Sequence, residues 1–230
     1  NTYTIYAFDL FYHGNSTIDE KVEEPYIGKT ELSEMVTRFM MEKKITRISL
    51  IGYSLGGKLA LSLIETMPGQ IDNVFLLAPD GIKKSFWNNV AVNTAIGRML
   101  FNHVIKDPRL VLKISSLFAK THLIHHKLDV FIRTHLLEAR NRIKVLNIWT
   151  LFKDLSPDKK RVRKHILRYK INLQMFYGKY DAIIPYKTGL QFADQLNIPC
   201  FHLLDCGHNM NGMVYEISTV INNTTVAKTF

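Results

Sequence analysis

The sequence predicts an α/β fold: a mostly parallel sheet covered by helices on both faces, with an inserted helical segment. Three observations carry the prediction. Short apolar runs rich in β-branched residues alternate with stretches at helical spacing over residues 1–81 and 169–230. The stretch 82–168 breaks that alternation, with helical periodicity and no convincing strand. Between them in importance stands Ile48-Ser49-Leu50-Ile51-Gly52-Tyr53-Ser54-Leu55-Gly56-Gly57, an apolar strand that turns abruptly into a helix with a serine at the apex.

Each element follows from its local pattern. Residues 3–10 read as a buried strand ending at Asp9, and Phe11–Ser16 as a turn rich in loop formers. Residues 30–45 carry Leu32, Met35, Val36, Phe39 and Met40 at helical spacing, with Thr30, Ser33 and Glu34 marking an N-terminal cap nearby. The helix after the serine runs from Gly57 to about Thr66 and stops at Pro68-Gly69. Residues 73–79 form the next strand, ending at Asp80-Gly81. The insert shows helical pieces at 91–101, 108–120 and 130–143. The sheet resumes at 171–177, followed by a helix at 186–196, a last strand at 200–204 and a closing helix at 212–222. The expected organisation is a core of 1–81 and 169–230 with 82–168 as an inserted helical cap.

Bulk properties bound the function. Two hundred and thirty residues, 47% hydrophobic, suit one α/β domain with an insert. No apolar run approaches the ~18 residues of a membrane-spanning helix. Cys200 and Cys206, if they flank one strand, lie roughly 20 Å apart at about 3.3 Å per residue. That is beyond the reach of about 7 Å between Cα atoms that a disulfide needs, so both are expected as free thiols. Free thiols suit a reducing compartment, and the expected location is the cytoplasm. Of the 30 Lys+Arg and 20 Asp+Glu, residues 83–170 hold 20 and 5, so the net charge of +10 belongs to the insert alone. Such a surface is either a solvated helical face or an attractor of anionic substrate, partner or lipid. Lys159-Lys160-Arg161-Val162-Arg163-Lys164 is its densest cluster, and no aromatic-interleaved nucleic-acid motif accompanies it. No nucleic-acid partner is expected.

The candidate chemistry sits at strand ends. In a parallel sheet the loops after the strands share one edge, where ligands bind. Ser54, Asp181 and His208 land on that edge, in the chain order Ser…Asp…His. Glycines two before and two after the serine, Gly52 and Gly56, are expected to remove side chains that would clash in the tight turn, and Gly57 to allow close helix–strand packing. A neutral serine needs a base, so His208 would take its proton and later give it to the leaving group. Asp181 would accept from the other imidazole nitrogen and set the tautomer. The backbone N–H of Leu55, at the helix start, would stabilise an oxyanion. Asp80 and Asp205 are the competing acids: Asp80 ends the strand after the serine strand, and Asp205 lies too near His208 along one strand end to face it easily.

These motifs resemble a known family. Gly52-Tyr53-Ser54-Leu55-Gly56-Gly57, Gly178-Lys179-Tyr180-Asp181-x-x-Ile184-Pro185 and Gly207-His208 together resemble the α/β-hydrolase fold superfamily, in its branch with a helical cap. Asp9-Leu10-x-x-His13-Gly14-x-Ser16 resembles the segment after that family's fourth strand, which makes Asp9 and His13 structural by resemblance. The resemblance implies a serine hydrolase, esterase- or lipase-like, acting on an ester, thioester or related acyl substrate and needing no cofactor. Carbon–carbon hydrolases and peptidases share the pattern. Dehalogenases and epoxide hydrolases differ in having Asp where this chain has Ser54. In the family three strands and a helix precede the Asp9 strand, and a loop after the third strand completes the oxyanion hole. Leu55 is then one donor and the second is expected outside this chain. A missing donor costs about 10²–10³ in rate, and a missing neighbour would leave a sheet edge open.

The resemblance also places the insert over Ser54. Tyr53 and the cap aromatics Phe86, Trp87 and Trp149 are candidates for contacting a small acyl substrate, anionic or lipid-like, with core packing as the alternative role of the aromatics. His122, His125 and His126 invite a metal reading, which the absence of a nearby acidic or cysteine partner disfavours, so no metal is expected. A non-catalytic domain binding through its basic insert is the second functional reading.

Overall fold

The computed structural model describes residues 3–19, 25–83, 103–104, 106–120 and 137–226. The chain divides into two compact units, one of Gly28–Phe86 with Asp154–Phe230, the other of Asn1–Ile27 with Trp87–Lys153.

The first unit contains α1 (Lys29–Glu42), β1 (Ile48–Tyr53), α2 (Leu55–Thr66), β2 (Ile71–Leu77), and, in the second unit, α3 (Arg109–Lys120) and α4 (Ala139–Leu151) intervene in sequence. It continues with α5 (Lys159–Tyr169), β3 (Asn172–Gly178), α6 (Tyr186–Leu196), β4 (Phe201–Leu204) and α7 (Val214–Val226). The four strands form one parallel sheet in the order β1-β2-β3-β4. This is the α/β architecture that alternation of apolar runs and helical spacing predicts, because parallel strands need crossovers and both faces must be covered.

Burial follows from position in the sheet. Central β2 and β3 are buried almost throughout, whereas β1 at the edge alternates, with Ile51 61% exposed. On one face Phe75 and Phe176 pack with Ala78, Met210 and Ile217, the last from α7. The opposite face carries Tyr177, against whose ring Gly189 of α6 is placed so closely that a Cβ there would overlap it. Helices therefore cover both faces.

Local signals place the helix ends. α1 begins at Lys29, with Gly28 rather than Thr30 as its N-cap: Gly28 N–H donates to the Glu31 carboxylate at 3.0 Å. Ser33 instead spends its hydroxyl on the Thr30 carbonyl at 2.9 Å. α5 is capped by Asp158, which accepts from Lys160 N–H at 2.9 Å and Arg161 N–H at 3.2 Å, and these bonds hold its carboxyl below the usual range. Its Val162 and Ile166 are buried and it packs on α2. Glu65 of α2, its side chain 3% exposed, binds the start of α1 and of α5: Lys29 Nζ at 2.7 Å, Arg161 Nη1 at 3.3 Å and the Asp158 N–H at 2.9 Å. The basic helix α5 thus belongs with the sheet.

In the second unit residues 3–10 form no strand, contrary to the sequence reading, and Ile5 and Phe8 are 81% and 59% exposed. Alternating apolar residues favour an extended chain, but a strand exists only where a neighbour completes its ladder. The turn that follows is formed: His13 N–H donates to the Leu10 carbonyl at 2.8 Å and Ser16 N–H to the His13 carbonyl at 2.9 Å. His13 Nδ1 lies 3.1 Å from the Phe11 carbonyl, so this imidazole is engaged within its own turn. α4 buries Leu151 and carries Arg142, whose Nη1 donates to the Leu137 carbonyl at 2.8 Å. Both cysteines are free thiols. No helix among the described residues is long and apolar enough to cross a membrane.

Candidate active site

The serine turn is strained. Ser54 has φ 51° and ψ −113°, outside the left-handed helical well as well as the common regions. A side-chain-bearing residue held so costs on the order of 1–3 kcal/mol and persists only where its surroundings over-determine it. Three backbone bonds do so: Ser54 N–H to the Leu77 carbonyl, Asp80 N–H to the Ser54 carbonyl and Gly57 N–H to the same carbonyl, each 2.9 Å. The turn is thereby pinned to the end of β2.

The glycines divide the work differently from the sequence reading. A Cβ at Gly52 would sit 2.5 Å from the Gly56 carbonyl oxygen, and one at Gly57 would overlap Pro79. At Gly56 no heavy atom of the described residues lies within 4 Å of the Cβ position. The clash expected two residues after the serine is absent among the described residues, whereas the close approach expected at Gly57 is present, α2 turning that position toward the segment after β2. Leu55 opens α2, where first-turn N–H groups have no intrahelical acceptor and the dipole is positive.

Asp181 and His208 meet at the tips of β3 and β4. Asp181 Oδ2 lies 2.8 Å from His208 Nδ1. Its Oδ1 accepts from Ile183 N–H at 2.8 Å and Ile184 N–H at 2.9 Å, which orients the carboxylate. The Asp181 side chain has no exposed surface and that of His208 is 18% exposed. A carboxylate only accepts, so in this contact Nδ1 carries the hydrogen and Nε2 of the neutral ring is left as an acceptor. Backbone bonds zip the two tips together: Lys179 N–H to the Leu204 carbonyl and Tyr180 N–H to the Cys206 carbonyl, both 2.9 Å. A Cβ at Gly178 would overlap the Gly207 carbonyl, so glycine there is what lets the loops approach. Among the described residues no hydrogen bond joins the Ser54 hydroxyl to His208.

Neither competing acid has a recorded hydrogen bond to His208 among the described residues. Asp80 accepts from Gly81 N–H at 2.7 Å. Its charge, with that of Asp154, favours the ammonium of buried Lys58, although burial dominates and pulls that lysine below its ordinary range. Asp205 is exposed.

Tyr53 takes a role the sequence did not suggest. Its ring lies against the His208 imidazole, centroids 5.2 Å apart and planes 35° apart, and its hydroxyl donates to the His208 carbonyl at 2.9 Å. Burial, then the charges of Asp181 and Cys206, push its phenol up. Nothing in the spacing announces this, since the two residues are 155 positions apart. Of the cap candidates, Trp149 lies half-buried on α4. Phe86, Trp87, His122, His125 and His126 lie outside the described residues.

Comparison with known proteins identifies the fold's relatives. The family described as alpha/beta hydrolase fold matches residues 1–212. Over 81 residues, 35% of the chain, it is 28% identical to abhydrolase domain-containing protein abhd-5.2 of Caenorhabditis elegans, covering 18% of that protein. Over 84 residues, again 35% of the chain, it is 34% identical to the dihydrolipoyllysine-residue acetyltransferase component of the acetoin cleaving system of Cupriavidus necator, covering 21% of it. The chain spans about a fifth of the length of these curated relatives. Among solved structures, a thermophilic esterase from Thermogutta terrifontis superposes with a TM-score of 0.58 at 15% identity, over 90% of this chain and 76% of that one. Esterase RhEst1 from Rhodococcus sp. gives 0.55 at 18%, over 93% and 78%. At these identities the likeness is one of fold.

Proposed function

The chain belongs to the alpha/beta hydrolase fold family, and we propose that it is a serine hydrolase cleaving an ester, thioester or related acyl substrate through an acyl-enzyme. The observation that carries the reading is the buried Asp181 carboxylate hydrogen-bonded to His208 Nδ1, on the sheet edge that also bears the strained Ser54. Two proteins that share the fold, from Thermogutta terrifontis and Rhodococcus sp., are esterases, which agrees with it.

In this mechanism Ser54 Oγ bonds to the substrate carbonyl carbon as its proton passes to His208 Nε2. The oxyanion accepts from the Leu55 N–H at the positive end of α2. Collapse of the tetrahedral intermediate breaks the bond to the leaving group, which takes the proton from the imidazolium. Water then attacks the acyl-enzyme, giving its proton to His208, and the acid leaves as Ser54 recovers its hydrogen. Asp181 stays ionised throughout, holding Nδ1–H and stabilising the imidazolium.

A fluorophosphonate probe tests this directly. The expected result is an adduct on the peptide containing Ser54, absent from Ser54→Ala and formed about 10²–10⁴ more slowly in Asp181→Asn. A folded protein that takes no adduct refutes the hydrolase and leaves the binding-domain reading, which the missing Ser54–His208 hydrogen bond favours. With an active protein, p-nitrophenyl esters of graded chain length define the acyl group.

A further inference from the structure

We propose that Tyr53 is a positioning residue that sets the spacing between Ser54 and His208, a role resting on the serine-hydrolase reading. Asp181 fixes the imidazole by one nitrogen, which sets its tautomer and leaves the ring free to tip about that bond. The chain bearing the ring leaves β4 at Leu204 and passes through Asp205, Cys206 and Gly207 with no regular structure. Its backbone is tied to the acid loop at Cys206, by the Tyr180 N–H. At His208 itself, among the described residues, the donor on the carbonyl is the Tyr53 hydroxyl, at 2.9 Å.

That bond differs in kind from those made by the acid loop. Both the Asp181 and the Tyr180 contacts join β3 to β4 and leave the serine strand out. Tyr53 is the last residue of β1 and covalently precedes Ser54, so its hydroxyl ties the nucleophile's strand to the base's loop across 155 residues of chain. Among the described residues β1 and β4 are the outermost strands of the sheet, with β2 and β3 between them. Errors in three successive strand pairings therefore accumulate in the Ser–His distance, and a direct strut from edge to edge removes them.

The ring contributes a second constraint. It packs against the imidazole at 5.2 Å, so the imidazole is bounded by Tyr53 on a face and by Asp181 at an edge. The aromatic face also favours the imidazolium that forms when Ser54 gives up its proton. Proton transfer needs Ser54 Oγ within hydrogen-bond reach of the imidazole, so the alignment that Tyr53 supports bears directly on the reaction.

The test uses two substitutions and two readouts. Tyr53→Phe keeps the ring and removes the strut; Tyr53→Leu removes both. Hydrogen exchange of the segment 203–213, measured by mass spectrometry, reads the loop without needing activity. Loss of one net hydrogen bond speeds local opening about fivefold, so Tyr53→Phe is expected to exchange this segment about fivefold faster while β2 and β3 exchange as before. The rate of fluorophosphonate labelling at Ser54 reads the alignment. It is expected to fall about tenfold in Tyr53→Phe and further in Tyr53→Leu, and with an ester substrate the fall should lie in kcat with KM unchanged. Unchanged exchange at 203–213, or faster exchange with an unchanged labelling rate, overturns the proposal. A loss of activity that tracks global unfolding in both variants overturns it too. A wild-type protein that takes no label sinks the hydrolase reading instead, and the strut then stands or falls on the exchange of 203–213 alone.

Discussion

Replacing Gly52 and Gly56 by alanine, one at a time, separates the contacts in the serine turn from the symmetry of its motif. The two glycines flank Ser54 at equal distance in sequence, and the pattern alone treats them alike. The structure does not. At Gly52 the new methyl would meet the Gly56 oxygen at 2.5 Å, the Gly56 carbonyl carbon at 2.7 Å and the Gly57 nitrogen at 2.8 Å. All three are backbone atoms of the first turn of α2, so no side chain can swing aside and the helix start itself must move. Overpacking of this kind costs about 1–3 kcal/mol or more. At Gly56 the methyl enters open space among the described residues. It also replaces the poorest non-proline helix former with the best, a gain of up to about 1 kcal/mol. The two variants should therefore differ by about 2–4 kcal/mol, with opposite signs. For a chain of this size each kcal/mol moves the melting midpoint by about 2–4 °C. Denaturant midpoints at unchanged slope give the same quantity at fixed temperature. Gly52→Ala should also slow labelling of Ser54, since the atoms it displaces belong to the turn that holds this residue. Equal losses in the two variants, or Gly56→Ala as the worse, would refute the claim that steric contact at these positions decides their stability.

Three further substitutions probe other parts of the sheet unit. Glu65→Leu strips the acceptor from Lys29, Arg161 and the Asp158 N–H, and should cost about 2–3 kcal/mol by chemical denaturation; a loss under 0.5 kcal/mol, the size of an ordinary surface change, would show that this hub is incidental. Tyr177→Phe removes a buried hydroxyl with no partner among the described residues, and should leave stability unchanged or raise it by about 1 kcal/mol; a fall of that size would mean the hydroxyl is satisfied. His202 is held below its ordinary pKa by burial while its Nε2 lies 2.6 Å from Gln174 Oε1. Its folded value is depressed, so its contribution is present above the unfolded value of about 6.5 and is lost as pH falls from there through the folded value. Melting midpoints of wild type should drop over that window, and His202→Gln should flatten the drop; parallel curves would place the acid sensitivity elsewhere.

Much of the core was readable before any coordinates. β1 through β4 fall within two residues of their expected positions: β2 and β3 are buried on both faces, and all four strands are short runs rich in apolar residues. Residues 3–10 look equally strand-like and form none, since a strand is a pairing and the pattern records only one partner. The hydroxyl, carboxylate and imidazole could be named as candidates because loops after parallel strands must share an edge.

Distances across that edge obey a different logic. Local spacing dictates which residues stand at strand ends, but not which acid turns toward His208, and it took the packing of Gly178 on Gly207 to bring Asp181 there while Asp80 stayed with Gly81. The same holds for Gly56, whose motif position implied a clash that no described residue supplies, and for the contact of Tyr53 with His208. Periodicity is a property of neighbours within a few residues, so the chain alone specifies its strands and helices. Contacts between residues over a hundred positions apart depend on how those elements are rotated and spaced against one another, and only the packed sheet settles that.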